Sequence, residues 1–274
     1  MNKKKRRITK LKDIANNIRK EILAISLRAK VGHVGCAFSI VEILTVLYFF
    51  VLNVKPSQPD WKSRDRFILS KGHAVNALYP ILAKRGFFPK QWLRGYCENG
   101  GHLGEHPEIC SVPGIEHTTG SLGHGLSVAA GIALGAKMDR KSFRSFVLLS
   151  DGECDEGEIW EAALFAGHHR LDNLIGIMDY NKVQALGKTS EVLNLEPFAD
   201  KWRAFGWHVE EAQGHDIKNL IRSFEKCFSV RNKPKIIIAH TIRGKGVSFM
   251  QHIIDWHYLA PNEKQYGLAM KELS

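Results

Sequence analysis

The sequence predicts an α/β fold: an open, mostly parallel sheet with helices on both faces. Three observations carry it. Short apolar runs (RFILS at 66–70, FVLLS at 146–150, NLIGIMDY at 173–180, PKIIIAHT at 234–241) alternate with longer segments of helical character. The runs are apolar almost throughout instead of alternating with polar residues, as strands buried on both faces require. Between Ser145 and Asn181 the order is apolar run, helix, apolar run, the pattern of a βαβ crossover between parallel strands.

Each element follows from its local pattern. Leu11, Ile14, Ile18, Ile22 and Ile25 recur at spacings of 3, 4, 4 and 3, which predicts an amphipathic helix from about residue 9 to 29. Val41 to Val54 (VEILTVLYFFVLNV) contains Glu42 and is too short to span a bilayer, so it is expected to be a buried core helix. RFILS leads into KGHAVNALYPILAKRG, a helix that should stop at Gly86. Residues 95–125 are rich in Gly, His and Pro without periodicity, and an irregular stretch of that length inside a compact domain points to function. A small-residue helix (LSVAAGIALGAK) and an acidic helix (EGEIWEAALFAGHHR) follow, then a helix near Pro197 to Phe205, a short strand at GWHVEEA and a helix opening near Asp216. No internal repeat or linker interrupts the pattern. One domain is expected over 9–274, preceded by a basic tail at 1–8.

Composition narrows the function. The chain has 274 residues, 44% of them hydrophobic, which is enough for one sizeable core. No secretory signal is recognisable at the N-terminus, and the five scattered cysteines include no C-x-x-C pair, so a soluble cytoplasmic protein with free thiols is expected. Cys97, His102, His106 and Cys110 are residues of zinc-ligating type, but C-x4-H-x3-H-x3-C matches no common zinc motif. The net charge of +11 raises the question of nucleic acid. Outside KKKRR at 3–7 the basic residues are dispersed, with no basic and aromatic stripe, so a nucleic-acid-binding module is the lesser alternative.

The densest chemistry lies at SDGECDEGEIWEAA, residues 150–163. Parallel strands joined by a crossover end on the same edge of the sheet, and ligands bind outside that edge. Asp151 follows one strand and Asn181, thirty residues later, follows the next, so the two share one rim. With the carbonyl of Val183 they make a set of hard oxygen donors suited to Mg2+ or Ca2+. Gly152 lets the backbone approach phosphates. An EF-hand alignment fails twice, since Glu156 falls where the turn needs Gly and Ala162 where the closing Glu belongs.

With these residues the sequence resembles the transketolases. The D-G pair with its Asn thirty residues on is similar to their thiamine diphosphate motif. AKVGHVGCAFSIVEIL resembles their N-terminal G-H segment, LSKGHAVNALY their G-H-A segment, and EHPEICSVPGIEHTTGSLGHGLS their H-P-E and T-T-G-x-L-G-x-G segment. The resemblance implies that Asp151, Asn181 and the Val183 carbonyl hold Mg2+ (Ca2+ or Mn2+ in its place). It implies cofactor contacts from His73, Gly120, Leu122, Gly152, Glu153, Asn181 and His257, and catalytic roles for His33, His73, His106 and His257. Glu156 and Glu161 would face a partner subunit, leaving Asp155 and Glu158, and the charge of Glu153, as solvent-side or helix-start acids. Ser150 replaces the first Gly of G-D-G, His124 the usual Gln, and Val34 the Pro that often follows G-H.

Single-chain transketolases continue into a pyrimidine-binding domain that carries the activating Glu. The resemblance therefore implies the N-terminal subunit of a split transketolase, in an α2β2 assembly with a C-terminal subunit, transferring a two-carbon ketol unit between sugar phosphates. A deoxyxylulose phosphate synthase-like enzyme and a ketol transferase for an unusual or branched sugar are the enzyme alternatives.

Overall fold

The structure, a computed structural model, describes the backbone of residues 3–274 and the side chains from residue 5 onward. Helix α1 (Lys3–Ala29) buries Ile8, Leu11, Ile14, Ile18, Ile22 and Ile25. It begins earlier than the periodicity places it, so the basic run beyond the first two residues is helical instead of a tail. Lys and Arg are good helix formers, and the Arg7 guanidinium stacks 4.2 Å from the Phe50 ring centroid. After the short buried helix α2 (Val34–Ser39), the apolar run expected as one buried helix over 41–54 is α3 (Val41–Val46) passing into a π-helical turn at Leu47–Val51; it is buried through Tyr48, half-buried at Phe49 to Val51, and its last residues are not helical.

Strand β1 (Arg66–Leu69) leads to α4 (Val75–Arg85), which stops where Gly86 adopts φ 95°. An irregular segment enters α5 (His124–Met138), followed by β2 (Ser145–Ser150), α6 (Gly157–His168) and β3 (Leu174–Tyr180). Then come α7 (Thr189–Val192), α8 (Phe198–Ala204) and β4 (His208–Gln213). The chain closes with α9 (Ile217–Ser229), β5 (Lys235–His240) and α10 (Glu263–Glu272). Asp216 caps α9 by accepting from the amides of Lys218 and Asn219, and Asn262 and Gln265 form a capping box on α10.

All five strands are parallel, in the order β1-β2-β3-β5-β4. The register pairs Phe146 with Ile175 and Leu148 with Ile177, and these side chains face α1 to α4 and α9. Val147, Leu149 and Met178 point the other way, against α5, α6 and α8. The doubly covered sheet explains why the strands read as continuous apolar runs. Among the described residues no helix is long and apolar enough to cross a membrane.

A buried polar cluster ties the first layer together. Glu42 is bidentate to Arg19 at 2.7 and 2.8 Å and accepts from His215 Nδ1 at 2.9 Å, while His215 Nε2 accepts from the Ile242 amide at 2.8 Å. Burial pushes the Glu42 carboxyl up, but Arg19 and His215 overcome it and bring it down to about 2 from 4.5. A depressed carboxyl contributes stability above its unfolded value that is lost as the pH falls through the folded one, here between 4.5 and about 2. We expect Glu42→Gln to cost on the order of 3 kcal/mol at pH 7, where Arg19 loses its charge partner, and distinctly less at pH 3. Urea denaturation at the two pH values checks this. An equal loss at both would contradict it.

Candidate functional site

Four of the five strands deliver residues to one cleft at their carboxyl ends, the position open α/β sheets use for ligands. Lys71 and His73 follow β1, and Asp151 and Gly152 follow β2. Asn181, Val183 and Gln184 follow β3, and Arg243 follows β5. The cavity among them has a volume of about 220 Å3.

Asp151 is 1% exposed. Its carboxylate accepts from the Gly152 amide at 2.9 Å and from the Lys182 amide at 2.5 Å, the latter aimed by a left-handed Lys182 at φ 63°. Among the described residues no cationic side chain pairs with it. Burial, with the nearby charge of Asp179, pushes its carboxyl from 3.8 to about 7. Beside it the Asn181 side-chain oxygen accepts from the Val183 amide at 3.0 Å, and the Val183 carbonyl accepts from Arg243 at 2.9 Å. A buried carboxylate without a counter-charge, next to an amide oxygen and a carbonyl that each keep a second lone pair, fits a hard divalent cation. Gly152 completes the cradle, since a Cβ there would lie 2.9 Å from the Gln184 Cβ.

The floor is cationic. Lys71, 1% exposed, pairs with Asp179 at 2.6 Å, and Asp179 also accepts from Ser39, Thr241 and Asn181. Arg243, also buried, donates to Nδ1 of His257. That bond fixes the neutral tautomer of His257, whose proton sits on Nε2. His33, His73 and His257 form a triangle with ring centroids 5.1 to 5.3 Å apart. Burial lowers all three: His257, with Arg243 adding to the effect, to about 3, and His73, with Lys71, well below its ordinary value. Three neutral imidazoles therefore line the cleft beside two fixed cations.

Local geometry makes the triangle possible. His33 sits at φ 60° and ψ 17°, its amide donating to the His257 carbonyl at 3.1 Å. A Cβ on Gly32 would fall 2.4 Å from the Tyr258 carbonyl oxygen, so the two segments approach this closely only because residue 32 is Gly. From the irregular segment, His106 lies over Gly120, where a Cβ would meet its Cδ2 at 2.9 Å, and Leu122 is half-buried on the same wall. Glu116, bidentate to Arg64 at 3.0 and 2.6 Å, pins that segment to the start of β1.

The structure thus brings Asp151, Gly152, Asn181, Val183, His33, His73, His106, His257, Gly120 and Leu122 around one cavity. Glu153 is a correction. It is fully buried and does not line the cavity or start a helix toward solvent. Its carboxylate accepts from Ser70 Oγ at 2.6 Å, the Ser150 amide at 2.9 Å and the Gly123 amide at 3.2 Å, so it ties together three segments that border the site. Of the other acids, Asp155 accepts from Gln184 at 3.0 Å and Glu158 pairs with His124 at 2.7 Å. Glu156 and Glu161 are exposed on and before α6, outside the cavity. His102 stacks on Trp92 and Cys110 is exposed, and among the described residues no three His, Cys, Asp or Glu gather as a metal site.

Sequence reasoning missed Lys71, Asp179, Arg243 and Gln184. Asp179 left a signal: a lone carboxylate in a strand buried on both faces must have a partner.

Cationic floor, cation-ready carboxylate and glycine approach together fit a domain that binds a diphosphate-bearing cofactor. The chain belongs to the transketolase family: it matches the family described as transketolase, thiamine diphosphate binding domain, over residues 10–269. It is 45% identical over 256 residues to one of the subunits of the apulose-4-phosphate transketolase of Phocaeicola vulgatus, covering 93% of this chain and 91% of that one. It is 44% identical to a 6-deoxy-6-sulfo-D-fructose transketolase subunit of a Clostridium species, covering 94% of each. The transketolase of Campylobacter jejuni superposes with a TM-score of 0.93 at 30% identity, over all of this chain and 43% of that one. That of Leishmania mexicana gives 0.90 at 30%, over 96% of this chain and 41% of that one. The chain therefore spans about two fifths of these solved transketolases.

Proposed function

We propose that the chain is the N-terminal subunit of a two-chain transketolase. With thiamine diphosphate and Mg2+ it would transfer a two-carbon ketol unit from a ketose phosphate to an aldose phosphate. One observation carries the reading: the site is half built. Its cavity, about 220 Å3, falls below the roughly 300–1,000 Å3 usual for a ligand of cofactor size. Asp151 is the sole carboxylate among the described residues lining it, and that one is suited to the metal. In this reading the acid that protonates the aminopyrimidine lies outside the described residues, and a partner subunit supplies it. Exposed apolar residues on the loops beyond the strand ends, Leu186, Leu193, Ile253, Tyr258 and Leu259, offer a surface for that chain to cover.

Within this reading Asp151, Asn181 and Val183 hold Mg2+, for which Ca2+ or Mn2+ would substitute. Lys71, Arg243 and the Nε2 proton of His257 face the diphosphate, and Gly152 admits it. Gly120 and Leu122 form the wall toward the aminopyrimidine. When bound, thiamine diphosphate supplies the nucleophilic carbon and the electron sink for cleaving the bond beside a ketose carbonyl. The chain's own part is to orient and to move protons: His33, His73, His106 and His257 serve the substrate hydroxyls, the neutral state of His33 and His73 leaves each a ring nitrogen free to accept, and His257, whose Nδ1 already accepts from Arg243, serves as a donor through Nε2. Glu156 and Glu161 face the partner in an α2β2 assembly, residues 9–274 act as one domain, and the five free cysteines suit a reducing cytoplasm.

The two bacterial relatives support a second, finer reading. They are named for different sugars, apulose 4-phosphate and 6-deoxy-6-sulfo-D-fructose, at nearly equal identity to this chain. An unusual sugar is thus as good a donor candidate as a pentulose phosphate, and the missing half would contribute much of the choice. The test is to combine the chain with a pyrimidine-domain partner, thiamine diphosphate and Mg2+, and to profile ketose donors against aldose acceptors. Transfer of two carbons, lost on chelation, is expected. Condensation with pyruvate in place of ketol transfer would overturn the reading in favour of a synthase.

A further inference from the structure

The His33 imidazole is surrounded by groups that nearly all oppose its protonation. Lys71 acts on it from the segment after β1, Arg243 from beyond β5 and His106 from the irregular segment, while the neutral rings of His73 and of His257, from the turn at Ile254–His257, pack against it. On its own side, the Cys36 thiol donates to the His33 carbonyl at 3.0 Å. Nδ1 of the ring is shut off from solvent and has no hydrogen-bond partner, so a proton there finds no acceptor. Glu105 is the exception. A carboxylate oxygen of this residue, whose side chain is 48% exposed, lies 3.5 Å from Nε2 of His33. Among the described charged groups acting on the ring, it alone favours the protonated form against burial and the neighbouring cations.

We propose that Glu105 is a positioning residue for proton transfer, its carboxylate stabilising the protonated imidazole of His33 so that His33 can take a proton from a bound sugar hydroxyl and return it. The catalytic half of this statement rests on the ketol-transfer reading above. In the step, the proton passes from the hydroxyl oxygen to the ring, the O–H electron pair stays on oxygen, and the new positive charge is set against Glu105. The return step reverses it.

The first test needs neither sugar, cofactor nor partner. In the full chain labelled at histidine, His33 is titrated by NMR, its signals assigned by their loss in His33→Gln. The midpoint should fall by about one pH unit in Glu105→Gln and further in Glu105→Lys. Midpoints unchanged in both variants would overturn the proposal, whatever the enzyme's reaction proves to be. In the reconstituted enzyme, the acid limb of kcat/KM should move to lower pH by the same amount in Glu105→Gln, with the dissociation constant for thiamine diphosphate unchanged. A limb that stays fixed while the NMR midpoint moves would overturn the catalytic half.

Discussion

Replacing Asp151 with Asn is expected to abolish Mg2+-dependent cofactor binding, lower ketol transfer by about a thousandfold, and at the same time remove a pH-dependent weakness of the unloaded chain. The two effects share a cause. Asp151 is buried with no cationic partner among the described residues, and its carboxyl is raised from 3.8 to about 7, chiefly by burial and then by Asp179. A raised carboxyl contributes stability that is fully present below the unfolded value and is lost as the pH rises through the folded one, here from 3.8 to about 7. Over that window the unloaded wild type should lose on the order of 4 kcal/mol that the Asn variant keeps. The absolute stability of the variant is not the test, because its amide cannot satisfy both the Gly152 and Lys182 amides. The difference between the two denaturation profiles at pH 4 and pH 8 is. Parallel profiles would show that Asp151 is not the uncompensated charge described.

The second large effect is on stability. Lys71→Met should cost about 3–5 kcal/mol, because it leaves the Asp179 carboxylate fully buried without its counter-charge. The remaining partners of Asp179, Ser39, Thr241 and Asn181, are neutral donors. Lys71→Met with Asp179→Asn should therefore cost less than Lys71→Met alone, and chemical denaturation of both single variants and the double variant checks it. If the double variant is as unstable as the two single losses added, the pair is not coupled as the 2.6 Å contact implies.

Much of this is legible in the sequence, for identifiable reasons. Strands buried on both faces announce themselves as apolar runs, and the parallel crossover places Asp151 and Asn181 on one rim without any tertiary knowledge. The register bears that out, with Ser150 opposite Asp179 at the ends of β2 and β3. The histidines come from motif resemblance, and the structure gathers His33, His73 and His257 from three separate segments. What stays hidden are long-range partners. Lys71 and Asp179 are 108 residues apart, and only the β1-β2-β3 order brings them together. Arg243 lies on a late strand end, and its guanidinium acts through Val183 and His257 instead of through a motif of its own. Glu153 misleads because an acid after a strand resembles helix-start charge, whereas three converging donors draw it inward. The basic run at the start reads as a solvated tail because its charge outweighs its helix-forming tendency.

In the proposed function this chain holds the metal and diphosphate half of a transketolase site, and the reaction needs the other half from a partner subunit. The most direct measurement is ketol transfer at fixed thiamine diphosphate and Mg2+ as a pyrimidine-domain partner is titrated into the purified chain. The account predicts no transfer by either chain alone and a rate that rises with partner and saturates at equal amounts of the two. Full transfer by this chain alone would contradict it.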